Sequence, residues 1–507
     1  FQAVMAHTVL VLIVLLNVFC EEVNGNLSFA SYFHDHMVLQ RGPKRAIIWG
    51  YADTIGAIVT ARKNGTEVGT GVVKHGVGGR GTWKIKLPAE IHPGPFTITI
   101  HSGDQSASLS DVMFGDVWIC SGQSNMQYSL NAVYTAAQEL ASAEDFQDIR
   151  TLFVELKEAT TEQDDFIAIK TNWARPKRGV IDLFSAVCWL YAKDLYPHLK
   201  HPIGLIESNW GGTPIETWSS PDAMAKCTNH PRGAASWPTT PSVLWNAMIH
   251  PLLKMTIYGA IWYQGESNSD AYAANYACQF PAMITDWRQK FHNASDGETD
   301  SMFPFGFVQL APWRENDTSL GFPIVRWAQT AGYGFAPNPE IPKTFMAVAV
   351  DLPDFQAPQG SIHPRFKEDI AYRLSLAGRA VAYSEQGLDY QGPYPSAFHL
   401  DERSHTLNIE FSYGTVPIEV RSTDGLELCC SSDARSQCSA QNDNWIPVVI
   451  SSHTDSSITV STTACKPHVA GVRYLWKESP CPLKKCAVYG RDNDLPTPPF
   501  WRAGGLQ

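Results

Sequence analysis

The stretch Asp116-Val117-Trp118-Ile119-Cys120-Ser121-Gly122-Gln123-Ser124-Asn125-Met126 places a serine where serine chemistry is possible. Val117, Trp118 and Ile119 form an apolar run that reads as a buried strand. Gly122 supplies backbone freedom at a tight turn, and Met126, Leu130, Val133, Tyr134 and Ala137 then recur at helical spacing. Ser124 thus falls between the carboxyl end of a strand and the amino end of a helix. Unpaired N–H groups and the helix dipole stabilise developing negative charge there. Two roles suit such a serine, a nucleophile or a helix N-cap. The elbow G-x-S-x-G is incomplete, because Met126 stands where the second glycine belongs, and this disfavours an α/β-hydrolase fold.

Gly122-Gln123-Ser124-Asn125-Met126 resembles the first block of the sialate O-acetylesterase and acetylxylan-esterase branch of the SGNH hydrolases. Trp262-Tyr263-Gln264-Gly265-Glu266, Ile362-His363-Pro364 and Asn246-Ala247-Met248-Ile249-His250-Pro251-Leu252 extend the resemblance, which runs in order and spacing from Leu27 to about the chain end. It implies an α/β chain with an SGNH-hydrolase (flavodoxin-like) parallel sheet core, flanked by N- and C-terminal β-sandwich-like regions. The implied activity is a serine esterase removing O-acetyl groups from sialic acids, chiefly at the 9-position, through an acyl-enzyme and without metal or cofactor.

A serine hydroxyl needs a base within hydrogen-bond reach. His363 stands where the family's final block, Asp-x-x-His, places that base. For the oxyanion hole the resemblance implies the Ser124 N–H and an N–H of Gly211 or Gly212, where glycine lets backbone come close. Gln264 takes the place where most SGNH hydrolases carry an asparagine donor. The acid departs from the family, since Gly360 stands three residues before His363. Glu266 is the first expectation for it, as related carbohydrate acetylesterases can use that glutamate. Asp351, Asp354, or a Ser–His dyad oriented by a backbone carbonyl remain open. Arg365 is a possible cationic partner for the sugar carboxylate. Three rival readings keep parts of this set: an acetylesterase for other carbohydrates, a glycosidase pairing Glu266 with Asp351 or Asp354, and an inactive glycan-binding protein.

Positioning these residues requires strands that end at one edge. From Asp111 the pattern alternates strands and helices, which argues for a mostly parallel sheet whose site lies beyond the strand carboxyl ends. Loops around Ser124, Gly211, Gln264 and Asp351 should converge there. The expected division is 1–25 signal peptide, 26–110 N-terminal β-domain, 111–390 esterase domain and 391–507 disulfide-bearing C-terminal β-domain. Thr8 to Phe19 has the length of a signal core rather than a membrane span, though no Lys or Arg precedes it. Sequons at Asn26, Asn64, Asn293 and Asn316 agree with export. So do the cysteines, crowded at Cys429, Cys430, Cys438, Cys465, Cys481 and Cys486 without paired C-x-x-C spacing, which favours disulfides over metal. His34 and His36 lack a third ligand and read as surface histidines. A secreted or lysosomal protein is expected, with no membrane partner after signal removal. A net charge of -11 over 507 residues argues against nucleic acid.

Overall fold

One strand, Gln105–Gly122 (β1), organises the molecule. Its first residues alternate in exposure, whereas Val112 to Gly122 are buried without interruption. Alternation suits an antiparallel edge with one solvated face, and continuous burial suits a parallel sheet covered on both faces. The change falls near Asp111, the boundary expected from sequence, yet the strand passes straight through it. The computed structural model describes residues 27–76, 79–227, 238–414, 416–432, 438–440, 444–504 and 506. The signal-like segment and Asn26 lie outside the described residues.

On one side of β1 lie Ile203–Asn209 (β4), Ile149–Val154 (β2) and Ile169–Ala174 (β3); on the other lie Gly259–Tyr263 (β5), Phe305–Gln309 (β6) and Thr344–Val348 (β7). The order is β3-β2-β4-β1-β5-β6-β7, parallel throughout except at β2 and β3. Chain order reverses at β1, so the loops after β4 and β5 diverge there and leave a crevice beyond its carboxyl end. Helix Ala186–Leu199 packs on Lys367–Val381, and Tyr276–Ala294 packs on Gly321–Ala328.

Part of the N-terminal region is joined to this sheet, while Ser28–Phe29, Ile47–Tyr51, Lys74–His75 and Gly81–Lys86 form a four-stranded sheet of their own. Val38–Gln40 runs parallel to β1, and Phe96–Ser102 pairs with its first half. His36 hydrogen-bonds Asp111 at 2.7 Å. The C-terminal region has two four-stranded sheets, one containing Thr406–Tyr413 and Ser457–Ser461, the other Leu426–Ser431 and His468–Tyr474. Between them lies a core with Leu407, Ile409, Leu428, Val460 and Val472. Five disulfides join Cys120 to Cys188, Cys227 to Cys278, Cys429 to Cys438, Cys430 to Cys465 and Cys481 to Cys486. Among the described residues no helix is long and apolar enough to cross a membrane.

The helix after Ser124 differs from the sequence expectation. Beyond Ser124 the helix is a single turn, Ser124–Gln127, because the Leu130 N–H pairs with the distant Phe184 carbonyl instead of continuing it. The last core helix starts at Lys367, whose ammonium donates to the Pro364 carbonyl.

Candidate active site

The turn after β1 is built by close approach. Gly122 has φ of +136°, and a Cβ there would fall 2.1 Å from the Tyr263 carbonyl oxygen. The Gln123 N–H donates to that same oxygen at 2.9 Å, so strand β5 lies against the turn. Gly122→Ala should therefore cost on the order of 3 kcal/mol or more, from backbone clash and disfavoured φ together. Thermal unfolding checks it; an unchanged Tm would contradict this packing.

Ser124 is the first residue of its helix, and the cap position belongs to Gln123 in extended conformation. Among the described residues the Ser124 hydroxyl has no hydrogen-bond partner, so the N-cap role does not describe it. The side chains at 123, 125 and 127 each tie the turn to a different loop. Gln123 Oε1 accepts from Gln264 Nε2 at 3.2 Å and from the N–H of Ser267 at 3.1 Å. Asn125 Nδ2 donates to Glu266 Oε1 at 2.6 Å and to the Ile362 carbonyl at 2.9 Å. Gln127 Oε1 accepts from the Gly211 N–H at 2.9 Å. The last three loops expected from sequence therefore meet at Ser124.

His363 Nδ1 lies 2.8 Å from the Gln359 carbonyl. A carbonyl only accepts, so Nδ1 carries the proton and Nε2 is left as the acceptor, the tautomer a base requires. Burial pulls the imidazole pKa below its ordinary value; the Gln359 bond opposes this and the Lys367 cation adds to it. The orienting partner is thus the backbone carbonyl, and none of the three carboxylates is bonded to the ring. Glu266 is buried, its Oε1 on Asn125 and its Oε2 without a partner among the described residues, and burial raises its pKa. Asp351 is held by Arg373 at 2.6 Å and by Tyr489 at 3.0 Å, joining the core to the C-terminal region. Asp354 takes the Arg365 guanidinium in a two-pronged pair at 2.7 and 2.9 Å.

That pair bears on Arg365 too. Its charge is compensated by Asp354 and its guanidinium lies over Tyr134, 4.2 Å from the ring centre. It is not a free cation awaiting a sugar carboxylate. The expected oxyanion donors separate in the same way. The Gly211 N–H is committed to Gln127, although a Cβ at Gly211 would meet the Ser124 Cβ at 3.2 Å, which shows how close the loop comes. The Gln264 amide faces three acceptors, Gln123, Thr213 and Asn268, with two hydrogens. It braces the turn and has no hydrogen left for an oxyanion. Among the described residues the N–H groups of Ser124 and Gly212 remain without a protein acceptor.

Residues missed at the sequence level are Gln123, Asn125, Gln127, Gln359 and Lys367. The first three were in plain view, polar side chains at alternate positions around Ser124. Lys367 carried no signal, because a lysine opening a helix is ordinarily a solvated one, yet here it is fully buried. The remaining sequons, Asn64, Asn293 and Asn316, are exposed.

A family described as carbohydrate esterase, sialic acid-specific acetylesterase, matches residues 114–320, and one described as the sialate O-acetylesterase C-terminal domain matches 396–504. Curated relatives named sialate O-acetylesterase include one from Homo sapiens, 41% identical over 488 residues, covering 93% of this chain and 92% of its own. Another, from Rattus norvegicus, is 40% identical over 515 residues, covering 93% of each. Among solved structures, a carbohydrate acetylesterase from Xanthomonas citri superposes with a TM-score of 0.78 at 28% identity, covering 94% of this chain and 99% of its own.

Proposed function

The chain belongs to the sialate O-acetylesterase family and is a hydrolase of O-acetyl esters on sialic acids; from that premise we propose that it works through an acyl-enzyme on Ser124 and prefers the 9-O-acetyl group. Within the core, β4-β1-β5-β6-β7 has the spatial order second, first, third, fourth, fifth, which supports an SGNH, flavodoxin-like assignment. The observation carrying the mechanism is the Asn125–Ile362 hydrogen bond, which joins the residue after Ser124 to the residue before His363.

Ser124 Oγ attacks the acetyl carbonyl carbon as its proton passes to His363 Nε2. The carbonyl oxygen, now an oxyanion, is held by the Ser124 N–H at the helix start and the Gly212 N–H of the loop after β4. Collapse of this adduct breaks the bond to the sugar oxygen, which takes the proton from His363. The acetyl group stays on Ser124. Water, deprotonated by His363, then attacks that ester, and acetate leaves as Ser124 Oγ takes the proton back from His363. The five disulfides support a life in the secretory pathway, secreted or lysosomal.

The test is acetate release from 9-O-acetyl and 4-O-acetyl sialic acid and from acetylated xylose, with rapid-quench mass spectrometry of the Ser124 peptide. We expect the 9-O-acetyl ester to lead by about tenfold in kcat/KM, a difference of about 1.4 kcal/mol, and an acetyl adduct on Ser124. Equal rates on the xylose ester would move the substrate to carbohydrates at large. Absence of the adduct under single-turnover conditions would remove the acyl-enzyme.

A further inference from the structure

Behind the nucleophile and the base lies a buried chain of three side chains that no step above uses. Glu266 Oε1 accepts from Asn125 Nδ2 at 2.6 Å, and Asn125 Oδ1 accepts from Lys367 Nζ at 2.6 Å. The middle of this chain and its lysine end reach the backbone on either side of His363: Asn125 Nδ2 holds the Ile362 carbonyl at 2.9 Å, and Lys367 Nζ holds the Pro364 carbonyl at 2.7 Å. His363 sits in a loop, with its own N–H on the Gly360 carbonyl and its ring anchored through Gln359. A loop residue can serve as a base only if something outside the loop fixes it.

We propose that Lys367 is a positioning residue for the esterase, completing with Asn125 and Glu266 a buried clamp on the two carbonyls that flank His363. Glu266 thereby acts on the base through the backbone rather than through the imidazole. This rests on His363 being the base, as inferred above.

Burial disfavours a cation at this point, and the polar and aromatic neighbours work against that. The Lys367 ammonium lies 4.7 Å from the centre of the Tyr128 ring and 5.5 Å from that of Tyr263, and ring faces attract cations. Glu266, Glu368 and Asp354 also favour its charged form, against burial, which pushes its pKa down to about 7. Arg365, the other nearby cation, is neutralised by Asp354. The charge on Lys367 works against protonation of His363, so the clamp sets the acid range of the base as well as its place.

The experiment compares wild type with Lys367→Met, and with Glu266→Gln/Lys367→Met, in which no uncompensated buried charge remains to unfold the protein. The active serines are first counted with an organophosphate, and kcat, KM and the pH profile are referred to that count. We expect kcat per titrated serine to fall about 10²-fold in both variants, as loss of an orienting partner does, with KM within about twofold. The acid limb of kcat/KM should move to higher pH. A wild-type kcat per serine with an unmoved limb in the double variant overturns the clamp. His363→Ala separates the two levels. If it keeps wild-type activity, the base assignment falls and the clamp with it; if it is inactive while the double variant is wild-type-like, only the clamp falls.

Discussion

Ser124→Ala is expected to lower kcat/KM on O-acetyl sialic acid by about 10⁴-fold or more if Ser124 is the proposed nucleophile, the usual loss when such a group is removed and only binding and the oxyanion donors remain. The structure says why this loss should be catalytic rather than structural. The turn is held by Gln123, Asn125 and Gln127, which grip three loops, whereas the Ser124 hydroxyl contributes no hydrogen bond among the described residues. Removing it leaves no buried partner unpaired, so Tm should stay within a degree or two of wild type, given that such losses cost about 1–3 kcal/mol only where a partner is stranded. Acetate release and thermal unfolding measure the two sides. An alanine variant as active as wild type would refute the nucleophile and revive a carboxylate mechanism. That mechanism already fits poorly, because Asp351 and Asp354 are each locked onto an arginine.

His363→Ala is expected to cost about 10³- to 10⁴-fold in kcat with little change in KM, since the base proposed above moves protons rather than binding the sugar. Its signature is the pH profile of the wild type. A base at this position acts as the neutral imidazole, and burial followed by the Lys367 cation lowers its pKa, with Gln359 offsetting part of this. As pH falls, activity should therefore persist below the ordinary histidine value of about 6.5 and disappear only on crossing the lowered pKa. A profile of kcat/KM across pH 4.5 to 8 checks the sign. An acid limb above the ordinary value would contradict the environment described here. Glu266 does not substitute for this group, because its pKa is raised by burial and its contact is with Asn125.

Local sequence was enough to mark the strand and turn that carry Ser124. An apolar run, a glycine and a serine at a helix start already describe a strand-turn-helix, and the turn is where the structure puts it, φ of +136° at Gly122 included. The alternation of elements told of a parallel sheet with loops gathered at one edge, because burial on both faces leaves a run of apolar residues that is readable from the chain alone. What sequence could not decide was which polar groups those loops would spend on one another. Gly211, Gln264 and Arg365 all have the right chemistry for the roles expected of them. They are diverted by Gln127, by Gln123 with Thr213 and Asn268, and by Asp354 respectively. The same holds for the acid: Glu266, Asp351 and Asp354 were equal in kind, and the Gln359 carbonyl took the imidazole instead. A hydrogen bond is settled within a few tenths of an ångström near 2.9 Å. Asn125 and Lys367 lie 242 residues apart in the chain and 2.6 Å apart in space. Residue type and spacing along the chain set which groups are able to act; only the folded packing sets which of them is left free to do so.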